Sequence, residues 1–368
     1  MLISIALAIA FTVPLVFLFV IRKFDLYGTG KYAVNFVTLI WGIAAYLLAV
    51  QINNGVIDQG WGTRTQVIRI YAPIVEEILK CLILVYLVQR ADFNYVVDGA
   101  IYGFGAGIGF AIIENYEYVS GNPEIALTVA VARVFSTNLI HATGSGVIGT
   151  ALALRRSDPS WRSWLLIGIG YAFSISFHMG FNTMVNSGGF LIFAILFGFS
   201  GLGLIWYAIH RGMNVQKAWV GEKLGEADRA TKSETRALMR IEELQKEILT
   251  PVERQFGAEK AGWVHEMLLK QAEMGIKRKL LETTPSETRR AEIERLIENL
   301  KSEVKQLRDS IGPYCMMLVR QVYLEQDARV WDSINARIAE SRTGQKGGGL
   351  WDRTTERMKS GKTQDQPT

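Results

Sequence analysis

Apolar and polar positions divide the chain into two unlike parts. The first is filled by seven long apolar runs, at about 2–21, 33–51, 69–89, 96–118, 129–154, 163–184 and 188–209. Each approaches the ~20 residues that an α-helix needs to cross the hydrocarbon core of a bilayer. After His210 no such run recurs. Apolar residues there come in three- and four-residue steps, as in Leu296, Leu300, Val304 and Leu307. That spacing lays one apolar stripe along a helix, and the stripe asks for a partner helix, within the chain or in another copy. Thr250-Pro251-Val252-Glu253 and Thr284-Pro285-Ser286-Glu287 each offer a cap, a proline for the first helical position and a glutamate for the third. Both predict capping boxes.

The pattern therefore predicts an all-α chain. Residues 1–210 form a polytopic transmembrane helix bundle of about seven spans, 211–342 a soluble helical domain, and 343–368, where Gly, Lys, Thr and Gln replace apolar residues, a disordered tail. The first run has no basic residue ahead of it and Arg22 and Lys23 directly behind. Without a small-residue cleavage pattern it reads as a retained span and not as a removed signal peptide.

Charge sharpens the division. Charged residues are about one in ten before Arg211 and about one in three after it, a change of solvent, because an unpaired charge in a span costs a few kcal/mol. Arg22, Lys23 and Lys31 lie in the first short loop, Arg90 in the third, and Arg155, Arg156 and Arg162 in the fifth. The second carries Arg64 and Arg69, whereas the fourth (Ser120 to Glu124) and the sixth (Asn186 to Gly189) carry no basic residue. The positive-inside rule then predicts N-terminus out and C-terminus in, with the soluble helices cytoplasmic. The net charge of +5 is accounted for by these span ends. Lacking a basic block, the chain offers no nucleic-acid surface. Cys81 and Cys315, far apart and without a CxxC, read as free thiols.

The informative residues are polar ones inside the spans. The third carries Glu76-Glu77-Ile78-Leu79-Lys80. Glu76 and Lys80, one turn apart, share a face, so the ammonium can pair with one carboxylate and leave the other to meet water. The fourth carries Phe110 to Glu114-Asn115, preceded by Gly103, Gly105, Gly107 and Gly109, whose spacing favours close helix packing. These glycines lack the strand–turn–helix setting of a dinucleotide loop. The fifth contributes Arg133, Asn138 and His141, and the sixth His178 and Asn182. Counted from the span ends, Glu76 and His178 both lie about 10 Å below the outer surface, with Glu114 somewhat shallower and His141 somewhat deeper. Four helices thus bring ionisable groups to one layer.

The order EExxK (Glu76–Lys80), FxxxEN (Phe110–Asn115), RxxxxxxxH (Arg133–His141) and HxxxN (His178–Asn182) resembles the motifs of the PrsW family of intramembrane proteases over approximately residues 68 to 185. That family is related to the CAAX-type prenyl endopeptidases, whose EExxxR, FxxxH and HxxxN resemble three of these; here lysine comes one residue sooner and Glu114 replaces a histidine. The resemblance implies an endopeptidase that cleaves a membrane-anchored protein in regulatory proteolysis, such as of anti-sigma factors, in a bacterial cytoplasmic membrane. It implies Glu76 as general base, Glu77 or Glu114 tuning it, His141 assisting proton transfer, and His178 with Asn182 stabilising the oxyanion, with Lys80, Asn115 and Arg133 in support.

A zinc centre built from Glu76, Glu114, His141 and His178 is the competing chemistry, since all four are acceptable ligands. His265-Glu266 begins an HExxH-like string but lacks its second histidine. Two other classes stay open, proton-coupled transport and an inactive membrane scaffold, because carboxylates and histidines in spans also serve proton relays. The soluble helices could serve oligomerisation or hold a partner.

Overall fold

A computed structural model describes residues 2–158, 160–186, 191–224, 230–321 and 336. The disordered tail expected from 343, and the tip of the sixth loop, lie outside them. The described residues form helices and their connections, with no strand. In order these are α1 (Leu2–Arg22), α2 (Tyr32–Asp58), α3 (Arg64–Gln66), a π turn (Val67–Tyr71), α4 (Ala72–Leu87), α5 (Val96–Gly121), α6 (Ala126–Val134), α7 (Thr137–Ser157), α8 (Trp161–Asn186) and α9 (Leu191–Lys223). The C-terminal helices follow: α10 (Lys232–Met239), a second π turn (Gln245–Leu249), α11 (Thr250–Phe256), α12 (Ala258–Thr283), α13 (Glu287–Ile311) and α14 (Pro313–Gln321).

Among the described residues, six helical segments are long and apolar enough to cross a membrane: Leu2–Arg22, Tyr32–Asp58, Val96–Gly121, Pro123–Ser157, Trp161–Met184 and Ile192–Lys223. The run at 69–89 is helical too, but its unbroken α-helical part has 16 residues and carries Glu76, Glu77 and Lys80. The run at 129–154, expected as one helix, breaks between α6 and α7 at Phe135 and Ser136, where Ser136 adopts φ −128° and ψ −86°. Neither proline nor glycine marks the break. Ser136 instead turns its hydroxyl onto the carbonyl of Ala132, 2.6 Å away. Phe135 stacks on Phe199 and meets Phe17 edge-on.

α5 is the central helix: 94% of its most apolar window is buried. Its glycines explain how. Gly99, Gly103 and Gly107, four residues apart, face α7, where a Cβ would lie 2.3 Å from Gly149 O, 2.2 Å from Ser145 O and 2.3 Å from His141 O. Gly109 faces α2, where a Cβ would lie 1.9 Å from Leu39 O. Two glycine rows on one helix thus bring two neighbours to backbone contact, as small residues do in membranes.

The C-terminal helices close onto this bundle. α9 runs unbroken through His210 and packs against α10 and α12. α12 and α13 pair as a hairpin that buries Ile293, Ile297, Leu300 and Val304, so the stripe on α13 finds its partner within the chain. Lys277, 1% exposed, donates to Asn94 Oδ1 at 2.8 Å and to Ala91 O at 3.4 Å. Tyr27 donates to Leu238 O at 2.9 Å.

Neither expected capping box forms. Thr250 is already helical, continuing the π turn, and its hydroxyl donates to Gln245 O. Thr284 ends α12, and Ser286 caps α13 by accepting from the Arg289 N–H. A capping box occurs at Thr231 and Glu234 instead. Threonine before proline fits either end of a helix when that proline can follow one helix as well as begin the next.

The glycine rows generate a test of this packing. Gly103→Ala should destabilise the protein by about 1–3 kcal/mol through overpacking, whereas Gly55→Ala, which meets nothing within 4 Å, should be neutral or mildly stabilising. Thermal unfolding in detergent reads both.

Candidate active site

The ionisable residues of five helices meet in one connected cluster. α4 supplies Glu76, Glu77 and Lys80, α5 supplies Glu114 and Asn115, α6 and α7 supply Arg133 and His141, and α8 supplies His178. At its centre the fully buried Lys80 ammonium donates to Glu77 Oε1 at 2.6 Å and to His141 Nδ1 at 3.0 Å. Its partner is thus Glu77, three residues away, not Glu76. Lys80 also lies 5.0 Å from the centroid of the Phe110 ring.

An ammonium only donates, so His141 Nδ1 carries a lone pair and its proton is on Nε2. Nε2 lies 2.8 Å from Glu114 Oε2, which Arg133 also approaches, at 2.7 Å. Arg133 Nε donates to Asn115 Oδ1 at 2.9 Å, and its guanidinium lies 3.8 Å over the Tyr118 ring. Glu77 Oε1 accepts a second hydrogen bond, from His178 Nδ1 at 3.1 Å. That leaves Nε2 of His178 to face Glu76 Oε2 across 3.8 Å. The two imidazoles meet edge-to-face, with centroids 4.7 Å apart.

Two carboxylates are therefore neutralised by cations, and the third is not. Glu76 Oε2 is buried without a hydrogen-bond partner. Glu76 and Glu114 line a cavity of about 600 Å³, along with Tyr46, Asn53, Arg64 and Asn182. Asn182 donates from Nδ2 to Ile68 O at 2.9 Å, on the π turn before α4. Asn138 is buried one turn before His141 and makes no hydrogen bond to the cluster.

Three contributors carry no motif of their own. Gly144 gives Glu77 its room, since a Cβ there would lie 2.7 Å from Oε2. Tyr46 donates to Glu117 Oε2 at 2.5 Å beside the cavity. Tyr118 covers Arg133. The Thr-Gly-Ser-Gly string around Gly144 is a small-residue signal; the two tyrosines look like interfacial aromatics in sequence.

Glu76, His141 and His178 can each offer an atom within 4.8 Å of the others', and two imidazoles with one carboxylate make a catalytic zinc set. Glu76 Oε2 and His178 Nε2 fit that role. Their 3.8 Å is too long for a hydrogen bond and near the separation of two ligands that share a zinc at about 2.0–2.2 Å each. The carboxylate on the far nitrogen of His178 matches the outer partner that metal-bound histidines have. His141 fits by residue type, but both its nitrogens are engaged, so a metal takes it only by displacing Lys80 or Glu114. Glu114 belongs to Arg133 and His141 here and lies outside this set.

The model of the PrsW family, described as PrsW family intramembrane metalloprotease, matches residues 31–209, from the loop before α2 into α9, and takes in every member of the cluster. No curated protein and no solved structure matches the chain.

The two adjacent carboxylates should separate by stability. Glu77→Gln leaves a buried ammonium without its counterion and should cost about 3–5 kcal/mol. Glu76→Gln removes no such pair and should leave the unfolding temperature within about 2 °C of wild type. Thermal melts of the two variants in one detergent make the comparison.

Proposed function

We propose that the chain, whose residues 31–209 match the model of the PrsW family of intramembrane metalloproteases, is a membrane peptidase in which Glu76 activates the water that hydrolyses a peptide bond of a membrane-anchored protein. One observation carries this assignment. Of three clustered carboxylates, only Glu76 combines an unpartnered buried oxygen with a place on the cavity wall.

The substrate segment lies in the cavity with its scissile carbonyl near His178 Nε2. Glu76 Oε2 takes a proton from water as the oxygen attacks the carbonyl carbon, and returns it to the amine nitrogen as the peptide bond breaks. Glu77 orients His178 through Nδ1–H, and Glu114 orients His141 through Nε2–H. Lys80 and Arg133 balance the charge that would otherwise burden the layer. A zinc ion held by Glu76, His141 and His178 would supply Lewis acidity to the carbonyl and a more acidic water; Glu77 would still orient His178 through Nδ1–H, whereas Lys80 or Glu114 would have to give up its nitrogen of His141.

The cavity lies at the bundle end where α4 begins and α5 and α8 end, opposite the loops rich in arginine and lysine. By the positive-inside rule this end faces outward, in a bacterial cytoplasmic membrane with the soluble helices inside. The natural substrate is then a protein anchored in the same bilayer and cut near its outer surface, in regulatory proteolysis.

Purified protein in proteoliposomes, offered membrane-anchored candidate substrates, tests this directly. Glu76→Gln and His178→Ala should each lower cleavage by about 10²-fold or more, and full activity in both, and in Glu77→Gln, overturns the assignment. Metal analysis of the same sample separates the chemistries. Near-stoichiometric zinc with activity lost on chelation favours the metal; metal-free activity favours the glutamate alone.

A further inference from the structure

The π turn before α4 has a defect that Asn182 repairs. In this turn the Ala72 N–H donates to Val67 O, five residues back. The next carbonyl, Ile68 O, has two main-chain donors in reach: the Ala72 N–H four residues on, already taken, and residue 73 five residues on. Residue 73 is proline, which has no N–H. Ile68 O is thus orphaned by the sequence of its own helix, in a setting where an unpaired backbone carbonyl costs free energy. The Asn182 carboxamide, arriving from α8, supplies the missing donor at 2.9 Å.

The clasp has a consequence for the site. Ile68 and Ala72 line the same cavity as Glu76 and Asn182, and Glu76 lies one turn beyond Ala72. α8 carries His178 one turn before Asn182. The hydrogen bond from Asn182 to Ile68 O therefore ties the helix that bears Glu76 to the helix that bears His178, just beside their 3.8 Å gap.

We propose that Asn182 is a positioning residue: its amide occupies the carbonyl that Pro73 leaves free and so sets the distance between Glu76 and His178. This departs from an oxyanion role for Asn182 and rests on the reading of Glu76 and His178 as the reacting pair. Pro73 and Asn182 act as a matched set, one creating the vacancy and the other filling it.

The matched set allows a test by rescue. With Pro73 in place, Asn182→Ala should lower kcat by about tenfold, the factor for one net hydrogen bond near the upper end of its range, with KM changed less than about twofold. In a Pro73→Ala background the new N–H can satisfy the turn through the main chain, and the same substitution should cost less than about threefold. Equal losses in both backgrounds overturn the proposal and place the Asn182 amide on the reacting carbonyl.

Amide hydrogen exchange of the segment 67–77 gives a second reading that needs no turnover. Asn182→Ala should speed it about tenfold with Pro73 present and much less in the Pro73→Ala background. Unchanged exchange with Pro73 present overturns the clasp. If the wild type cleaves nothing, the peptidase assignment of the site falls, and the exchange comparison still decides whether Asn182 holds the turn.

Discussion

Three carboxylates and two strong cations sit together at span depth, and their pairing governs what each can do. An ion removed from water there carries a penalty of several kcal/mol, and only a close counterion with good geometry offsets it. Lys80 goes to Glu77 at 2.6 Å and Arg133 to Glu114 at 2.7 Å. The remainder, Glu76, has no cation and faces the cavity. This partition makes two carboxylates fixed orienters of imidazoles and leaves the unmatched one on the cavity wall, the arrangement on which the proposed role of Glu76 rests. Lys80 also fixes the His141 tautomer, because a donor-only ammonium on Nδ1 sends the ring proton toward Glu114.

Such pairing needs helices closer together than ordinary side chains permit. The glycine rows of α5 meet that need, and they do so at the level of the charged layer itself. Gly107 lies against the carbonyl of His141, so the helix carrying Glu114 and the helix carrying His141 touch where their side chains must meet. Gly144, one turn beyond His141, opens a recess for the Glu77 carboxylate. Small residues in this bundle are thus part of the electrostatics: a methyl group in these places would force the cation and carboxylate apart and leave each of them buried alone.

The helices of the apolar runs, the meeting of Glu76, Glu114, His141 and His178 in one cluster, and the helical C-terminal part were legible because each rests on a local rule of composition or period. What could not be read depended on geometry between helices. Lys80 stands one turn from both Glu76 and Glu77, and spacing alone cannot say which it pairs with. The break at Phe135 and Ser136 has no proline or glycine to announce it, since it arises from a serine hydroxyl competing for a carbonyl and from ring contacts made by other helices. Thr250 and Thr284 misled because a cap signal is only a local permission, and the chain around each used it for continuation or for an ending. Asn182 was visible as a motif residue, but its partner is a carbonyl that becomes free only when the π turn and Pro73 coincide.

α5 links this layer to the C-terminal helices. Toward one end it holds Glu114 and Asn115, and sixteen residues before Glu114, about 24 Å along its axis, its first turn carries Asp98. Asp98 is fully buried and accepts from the backbone N–H and the side chain of Asn94 at 2.8 and 3.1 Å. Asn94 in turn accepts from Lys277 on α12 at 2.8 Å. Burial pushes the Lys277 ammonium below its usual range, with Glu273 and Asp98 opposing that fall. An ion buried at such a junction is a poor source of net stability but a strong source of register, because it tolerates only one arrangement of its partners. The C-terminal helices are therefore docked in a fixed register on the same helix that carries Glu114, which makes α5 the rigid element common to the charged cluster and to helices α10 to α14.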